Sequence, residues 1–249
     1  MLSARPLAGL PEISPGDDLG ALIAASLRDE PLDDLDVLVV AHKAVSKAEG
    51  RIRLLKGIEP SERAIELAAR VDKDPRQVQV ILEECEEVIR ASQGVLICAT
   101  RHGFVCANAG VDASNVPGED SVVVLPLDPD RSARELRMRI GELTGASPAI
   151  VITDSFGRAW RVGQCDVAIG CAGIGPLEDW RGRSDAHGRE LKATIIAVAD
   201  ELAAAADLAR AKDLSQPVVL VRGAGRHVIA DDGPGAQALI RPRRRDLFR

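Results

Sequence analysis

Val37-Leu38-Val39-Val40 leaves this chain little choice of architecture. Four consecutive apolar residues with no polar alternate read as a strand covered on both faces, so flanking helices are needed. Further strands are expected at 149–153 and 217–222, and another at 122–125. Helical periods lie between them: Leu19, Leu22, Ile23 and Leu27 in one, Leu136, Ile140 and Leu143 in another. A longer helix is expected from Asp74, which can cap it, and Pro75 in its first turn. Its stripe would be Val78, Ile81, Leu82, Cys85, Val88 and Ile89, with Gly94 as its end. Runs at 95–99 and 104–108, joined by Thr100-Arg101-His102-Gly103, read as a hairpin. The stretch 191–211 stays open: Thr194, Ile195 and Ile196 favour a strand, the Ala- and Leu-rich 200–210 a helix. Strict strand–helix alternation is not kept, so the fold class is α+β, with mixed sheets and flanking helices. No repeat or low-complexity linker divides the 249 residues. They read as a single unit, 1–249, with a seam between two subdomains near 113–118 as the candidate boundary.

Composition then excludes whole classes of function. With 46% hydrophobic and 28% charged residues the chain can bury a core. A net charge of −6 argues against nucleic-acid binding, which needs clustered Lys and Arg. The one dense basic run, 241–245 (RPRRR), reads as a solvated tail. Base-stacking platforms are lacking too, with no Tyr and three Phe. No stretch approaches the ~20 apolar residues of a membrane span, and the first residues lack the basic-then-apolar order expected of a signal peptide. The five cysteines are odd in number and lack C-x-x-C spacing, so buried free thiols in a reducing cytoplasm are expected.

Chemistry concentrates in four polar islands beside expected strand ends. Asn108 to Asn115 packs a carboxylate, two amides and a hydroxyl into eight residues. Hard cations such as Mg²⁺ take ligands of this kind, and so does an Asx-turn satisfying its own backbone. Thr153 to Arg161 follows an expected strand, where ligands gather in α/β sheets. Asp154 and Ser155 suit a metal there, while Arg158 and Arg161 offer planar forks for phosphate or carboxylate. In a Gly-containing loop both arginines can face one cleft and assist catalysis; alternatively they bridge a carboxylate such as Asp166. His42 to Arg51 brings Lys43 and Lys47, for phosphates or as a solvated helix start. The fourth, Leu10-Pro11-Glu12-Ile13, carries little signal by itself. P-loop, G-x-G-x-x-G, serine-elbow and H-E-x-x-H motifs are absent, and no activated nucleophile is evident. Direct phosphoryl transfer fits that absence better than covalent catalysis.

Read together, the strings LPEISPGDDL (10–19), DVLVVAHKAVSKAEGRI (36–52), ANAGVDASNV (107–116), TDSFGRAWRVGQCDVAIGCAGI (153–174), ADELAAAADL (199–208) and LVRG (220–223) resemble the coenzyme F-420-0:L-glutamate ligase family. The resemblance runs in the family's order from residue 7 to about 225. It implies an amide ligase that adds L-glutamate to the lactyl carboxylate of F-420-0, and a further γ-linked glutamate, through an acyl phosphate. GTP would be the co-substrate, giving GDP and phosphate. The resemblance also implies a fold outside the P-loop and Rossmann classes, an intertwined homodimer, Mg²⁺ or Mn²⁺ at two sites, and K⁺ as a helper. Carried over residue by residue, Asp112 and Asp154 would be metal ligands, with the Ser155 hydroxyl on a second metal. Asn115, Leu10, Pro11, Glu12, Ile13, His42, Lys43 and Lys47 would contact the nucleotide.

Three departures stand out. Ser155 replaces an expected Thr and keeps the hydroxyl; His42 stands where a small polar residue is common. LARAKD (208–213) replaces a Met-Gly turn, and Lys212 leaves open which group completes the second metal site. The chain is expected to be the stand-alone form, without the fused flavin-reductase-like domain of some relatives. A ligase for another carboxylate and a non-catalytic nucleotide-binding protein are the competing readings. Asp112 and Asp154 weigh against the second, since binding alone has little need of metal-organising carboxylates.

Overall fold

The computed structural model describes residues 1–92, 94–116, 118, 120–211 and 215–246. Pro117 of the 113–118 seam and Lys212 lie outside the described residues. The elements run β1 (Ser3–Pro6), α1 (Leu19–Ser26), β2 (Val37–Ala41), α2 (His42–Ala48), β3 (Ile52–Leu54), α3 (Glu62–Val71), α4 (Pro75–Glu84), β4 (Cys85–Ser92), β5 (Val95–Thr100), β6 (Val105–Ala107) and β7 (Ser121–Val123). There follow α5 (Pro129–Thr144), β8 (Ala149–Arg158), β9 (Arg161–Ala172), β10 (Glu178–Asp179), β11 (Ile195–Ile196), α6 (Val198–Ala209) and β12 (Val218–Arg222). This is an α+β fold with mixed sheets. No helix among the described residues is long and apolar enough to cross a membrane.

The central sheet has the order β1-β12-β2-β8-β9. Its three apolar strands explain their own composition. Leu38, Val40, Ile150, Ile152 and Leu220 point to one face, where Leu19 and Ile23 of α1 and Ala133, Leu136 and Ile140 of α5 cover them. Val37, Val39, Val151, Val219 and Val221 point to the other, against Val198, Ala199, Leu202 and Ala206 of α6. Through 37–40, 149–152 and 218–221 each strand alternates between two dry faces, so no polar position is left in those runs. The pair β2–β8 is parallel, while β1–β12, β12–β2 and β8–β9 are antiparallel.

A third core, made of α3, α4 and the sheet β4-β5-β6, holds Leu67, Val71, Val78, Ile81, Leu96 and Cys98. Here one expectation is corrected. Asp74 caps α4 and Pro75 starts it, but the helix ends at Glu84, and Cys85 enters an extended backbone. Val88 and Ile89 belong to β4, with Val88 opposite Cys98 in β5. A partner strand claims these β-branched side chains, and local helical period does not reveal it. Gly94, at φ +79°, turns β4 into β5 and does not end a helix. The open stretch resolves as both: the short β11, then α6.

Gly170 marks the tightest packing of the sheet. A Cβ there would lie 2.7 Å from Pro129 Cβ and closer still to the Pro129 carbonyl. Nothing lies within 4 Å of a Cβ at Gly157, in the same hairpin. Gly170→Ala should lower stability by about 1–3 kcal/mol through forced backbone shifts. Gly157→Ala should stay within roughly 0.5 kcal/mol of the parent. Urea denaturation of the two variants checks the contrast.

Candidate active site

The parallel register sets Ala41, the last residue of β2, beside Thr153 of β8. The Ala41 N–H donates to Pro217 O at 2.8 Å, which draws the segment before β12 to the same end of the sheet. A cleft of about 430 Å³ opens there. Pro11, Glu12, Ile13, His42, Lys43, Lys47, Asp112, Asn115, Asp154 and Ser155 all line it. Leu10 does not; it packs against the core beneath. Segments separated by more than a hundred residues thus converge on one cavity, at the carboxyl ends of two parallel strands.

His42 and Lys47 are buried in α2, so this segment is no solvated helix start. Lys47 pairs with Glu12 across the cleft. Lys43 Nζ lies 2.6 Å from Asp112 Oδ2 and donates to the Ser114 hydroxyl at 2.6 Å. The Ser114 N–H donates to Asp112 Oδ1 at 2.7 Å and its hydroxyl to Oδ2 at 2.9 Å, so the Asx-turn is formed. Both carboxylate oxygens thus serve the turn, and Oδ2 also meets the Lys43 ammonium. Asn115 sits at φ +56°, a left-handed position that Asn tolerates. Asn108, by contrast, is structural and accepts from the Leu96 N–H.

His42 Nε2 approaches Asp154 Oδ1 to 3.2 Å, an ion-pair distance, yet without hydrogen-bond alignment. It is a buried ring nitrogen next to a carboxylate, with no hydrogen-bond partner among the described residues. Burial, followed by the charge of Asp154, pushes the neighbouring Cys106 thiol up to about 12. That thiol is no nucleophile at neutral pH. Asp112, Asp154 and the Ser155 hydroxyl face the cleft as hard oxygen donors, while no group of three or more His, Cys, Asp or Glu placed to hold a metal ion is formed among the described residues. Such a set fits Mg²⁺ or Mn²⁺, which bind through one or two carboxylates and leave the remaining positions to phosphate and water.

Arg158 and Arg161 require a correction. They do not lie in a loop facing the cleft. β8 continues to Arg158 and β9 begins at Arg161, because Ser155, Phe156 and Gly157 pair with Asp166, Cys165 and Gln164. Both arginines sit exposed at the hairpin tip, and Arg158 donates to Val162 O at 2.9 Å. Asp166, the carboxylate they were offered as partner, binds Arg210 instead. Thr153, Gln164, Asp166 and Arg210 also line the cleft and were missed. The available signal was the period-two spacing of Thr153 and Ser155, which share a strand face. Finding Asp166 opposite Ser155 required the hairpin register.

A family model described as F420-0:Gamma-glutamyl ligase matches residues 9–223. The Coenzyme F420:L-glutamate ligase of Methanopyrus kandleri is 50% identical, over 96% of this chain and 94% of its own. Proteins of the same name from Archaeoglobus fulgidus and Methanothermobacter thermautotrophicus are 47% and 45% identical. These alignments cover 98% and 97% of this chain, and 95% and 96% of the relatives.

Burial raises the Asp112 carboxyl, but the hydrogen bond from Lys43 and those from Ser114 outweigh it and hold it below the usual carboxylate range. A folded value below the unfolded one stabilises the protein above the unfolded pKa of about 3.9. That contribution fades as pH falls through the lower folded value. Lys43→Met should therefore raise the Asp112 pKa and remove this part of the acid sensitivity. A ¹³C-carboxyl NMR titration reads the shift directly.

Proposed function

The chain belongs to the F420-0:gamma-glutamyl ligase family, and from that membership we propose that it joins L-glutamate to the lactyl carboxylate of F-420-0 at the expense of GTP. It is a ligase that forms carbon–nitrogen bonds. The observation that carries the finer reading is the convergence of Glu12, Lys43, Lys47, Asp112, Asn115, Asp154 and Ser155 on one cleft. A metal-nucleotide needs carboxylates for the cation and cations for the phosphates, and both kinds face this space.

In this reading Asp112 and Asp154 would hold Mg²⁺ or Mn²⁺, with the Ser155 hydroxyl on a second such ion. Bound there, these ions would offset phosphate charge during phosphoryl transfer. Lys43 exchanges Asp112 for a phosphate oxygen, and Lys47 turns likewise from Glu12. Pro11 to Ile13 and Asn115 line the nucleotide's side of the cleft. The lactyl carboxylate oxygen attacks the γ-phosphorus and the bond to GDP breaks, giving an acyl phosphate. The glutamate amine then attacks the acyl carbon, phosphate leaves and the amine loses its proton. A second glutamate is joined in the same way, through the γ-carboxylate of the first. With no activated nucleophile among the described cleft residues, positioning and charge carry the catalysis. The β8–β9 tip exposes Trp160 and Val162, which supports a homodimer that buries them.

Incubation with F-420-0, GTP, Mn²⁺ and glutamate, followed by mass spectrometry, should show one GDP and one phosphate per amide formed. Full turnover in excess EDTA, or release of GMP and pyrophosphate, would sink the scheme. Asp154→Asn keeps the shape and removes the charge. It should fold normally but lose about 100-fold or more in activity, beyond the 10–100-fold typical of groups that only support a metal ligand. Near-parental turnover in that variant would make Asp154 structural.

A further inference from the structure

Asp166 is 1% exposed, and the scheme above gives it no task. Its carboxylate lies on the cleft floor, opposite Ser155 in the β8–β9 register. Ser155 Oγ donates to Asp166 Oδ1 at 2.6 Å. Thr153 Oγ1 donates to Oδ2 at 2.8 Å, and the Arg210 guanidinium, itself buried, pairs with the same oxygen. Arg210 also donates to Thr153 Oγ1 at 2.8 Å, closing a ring of three residues around Oδ2. Oδ1 is thus the oxygen directed at Ser155.

The direction of that last hydrogen bond matters. A serine hydroxyl has one proton and two acceptor sites. Once the proton is committed to Asp166, the oxygen can act toward the cleft only as an acceptor, which is the polarity a cation needs. We infer that Asp166 is a positioning residue that fixes the Ser155 hydroxyl as an acceptor facing the cleft. The inference rests on the proposal that Ser155 faces the divalent cation. A bare staple between the hairpin and the end of α6 would need the Arg210 pair alone.

Asn at 166 separates these roles. Its amide oxygen can take the place of Oδ2, accepting from Arg210 and Thr153. Its NH₂ then stands where Oδ1 was and donates to Ser155, so the serine proton must turn into the cleft. The shape is kept and the polarity of one hydroxyl is inverted.

The test measures Mn²⁺ affinity in the presence of GDP, by electron paramagnetic resonance of the free ion, on the full chain. Folding is checked by circular dichroism. Asp166→Asn should weaken Mn²⁺ binding by about 10–100-fold, the range for groups that orient a metal ligand. Ser155→Ala should weaken it comparably, and the double variant should be no worse than the worse single one. Parental affinity in folded Asp166→Asn, beside a loss in Ser155→Ala, overturns the positioning role and leaves the cation site standing. Losses that multiply in the double variant overturn it as well, since Asp166 would then act without Ser155. Parental affinity in Ser155→Ala overturns both the inference and the cation reading of Ser155. Should Asp166→Asn fail to fold because Arg210 loses its counter-charge, Arg210→Gln is compared with Arg210→Gln/Asp166→Asn. The second must bind Mn²⁺ more weakly, and equal affinities overturn the inference.

Discussion

The parallel pairing of β2 with β8 is the contact on which the rest of the molecule depends. Two antiparallel neighbours would send their carboxyl ends to opposite edges of the sheet. Parallel strands bring both to one edge, so α2 leaves β2 at the place where β8 turns polar. The pairing is secured by apolar residues on both faces, and a shift of one position would exchange the two cores. Register, core and cleft are thus one constraint. The β2 end cannot slide relative to Asp154 without exposing a row of Val and Leu side chains.

At that edge the cleft holds its charges in pairs. Lys43 meets Asp112, Lys47 meets Glu12 and Arg210 meets Asp166. Their burial differs, and so do their roles. Asp166 and Arg210 are almost wholly enclosed, where an unpaired charge is strongly unfavourable, so this pair is part of the fold. Asp112 and Glu12 are partly open to solvent, while Lys47 is itself buried and Lys43 partly so.

The fold by itself would say little about chemistry, since similar sheets host many reactions. What narrows the reading is the kind of group at the strand ends. Carboxylates, hydroxyls and lysines are present, and the thiol of Cys106, beside Asp154, is held protonated. Such a set can place and neutralise phosphates. It is poorly suited to covalent catalysis.

Much of this was legible beforehand. The apolar runs near 37–40, 149–153 and 217–222 could only be covered strands, and the polar residues following them marked the cleft's edge before any coordinates were known. Lys43, Lys47, Asp112, Asn115 and Asp154 stood out in their own strings, because strand ends and residue types are local properties, whereas Glu12 was named only through the family resemblance. The end of α4, the hairpin that carries Arg158 and Arg161 out to its tip, and the Asp166–Ser155 contact were not legible. Each depends on which strand lies opposite, and pairing is chosen by the whole core. The sequence by itself determined which segments would be buried strands and which side chains could do chemistry. Tertiary structure alone decided which of those side chains meet, because hydrogen bonds and ion pairs act over a few ångströms while their partners lie tens of residues apart.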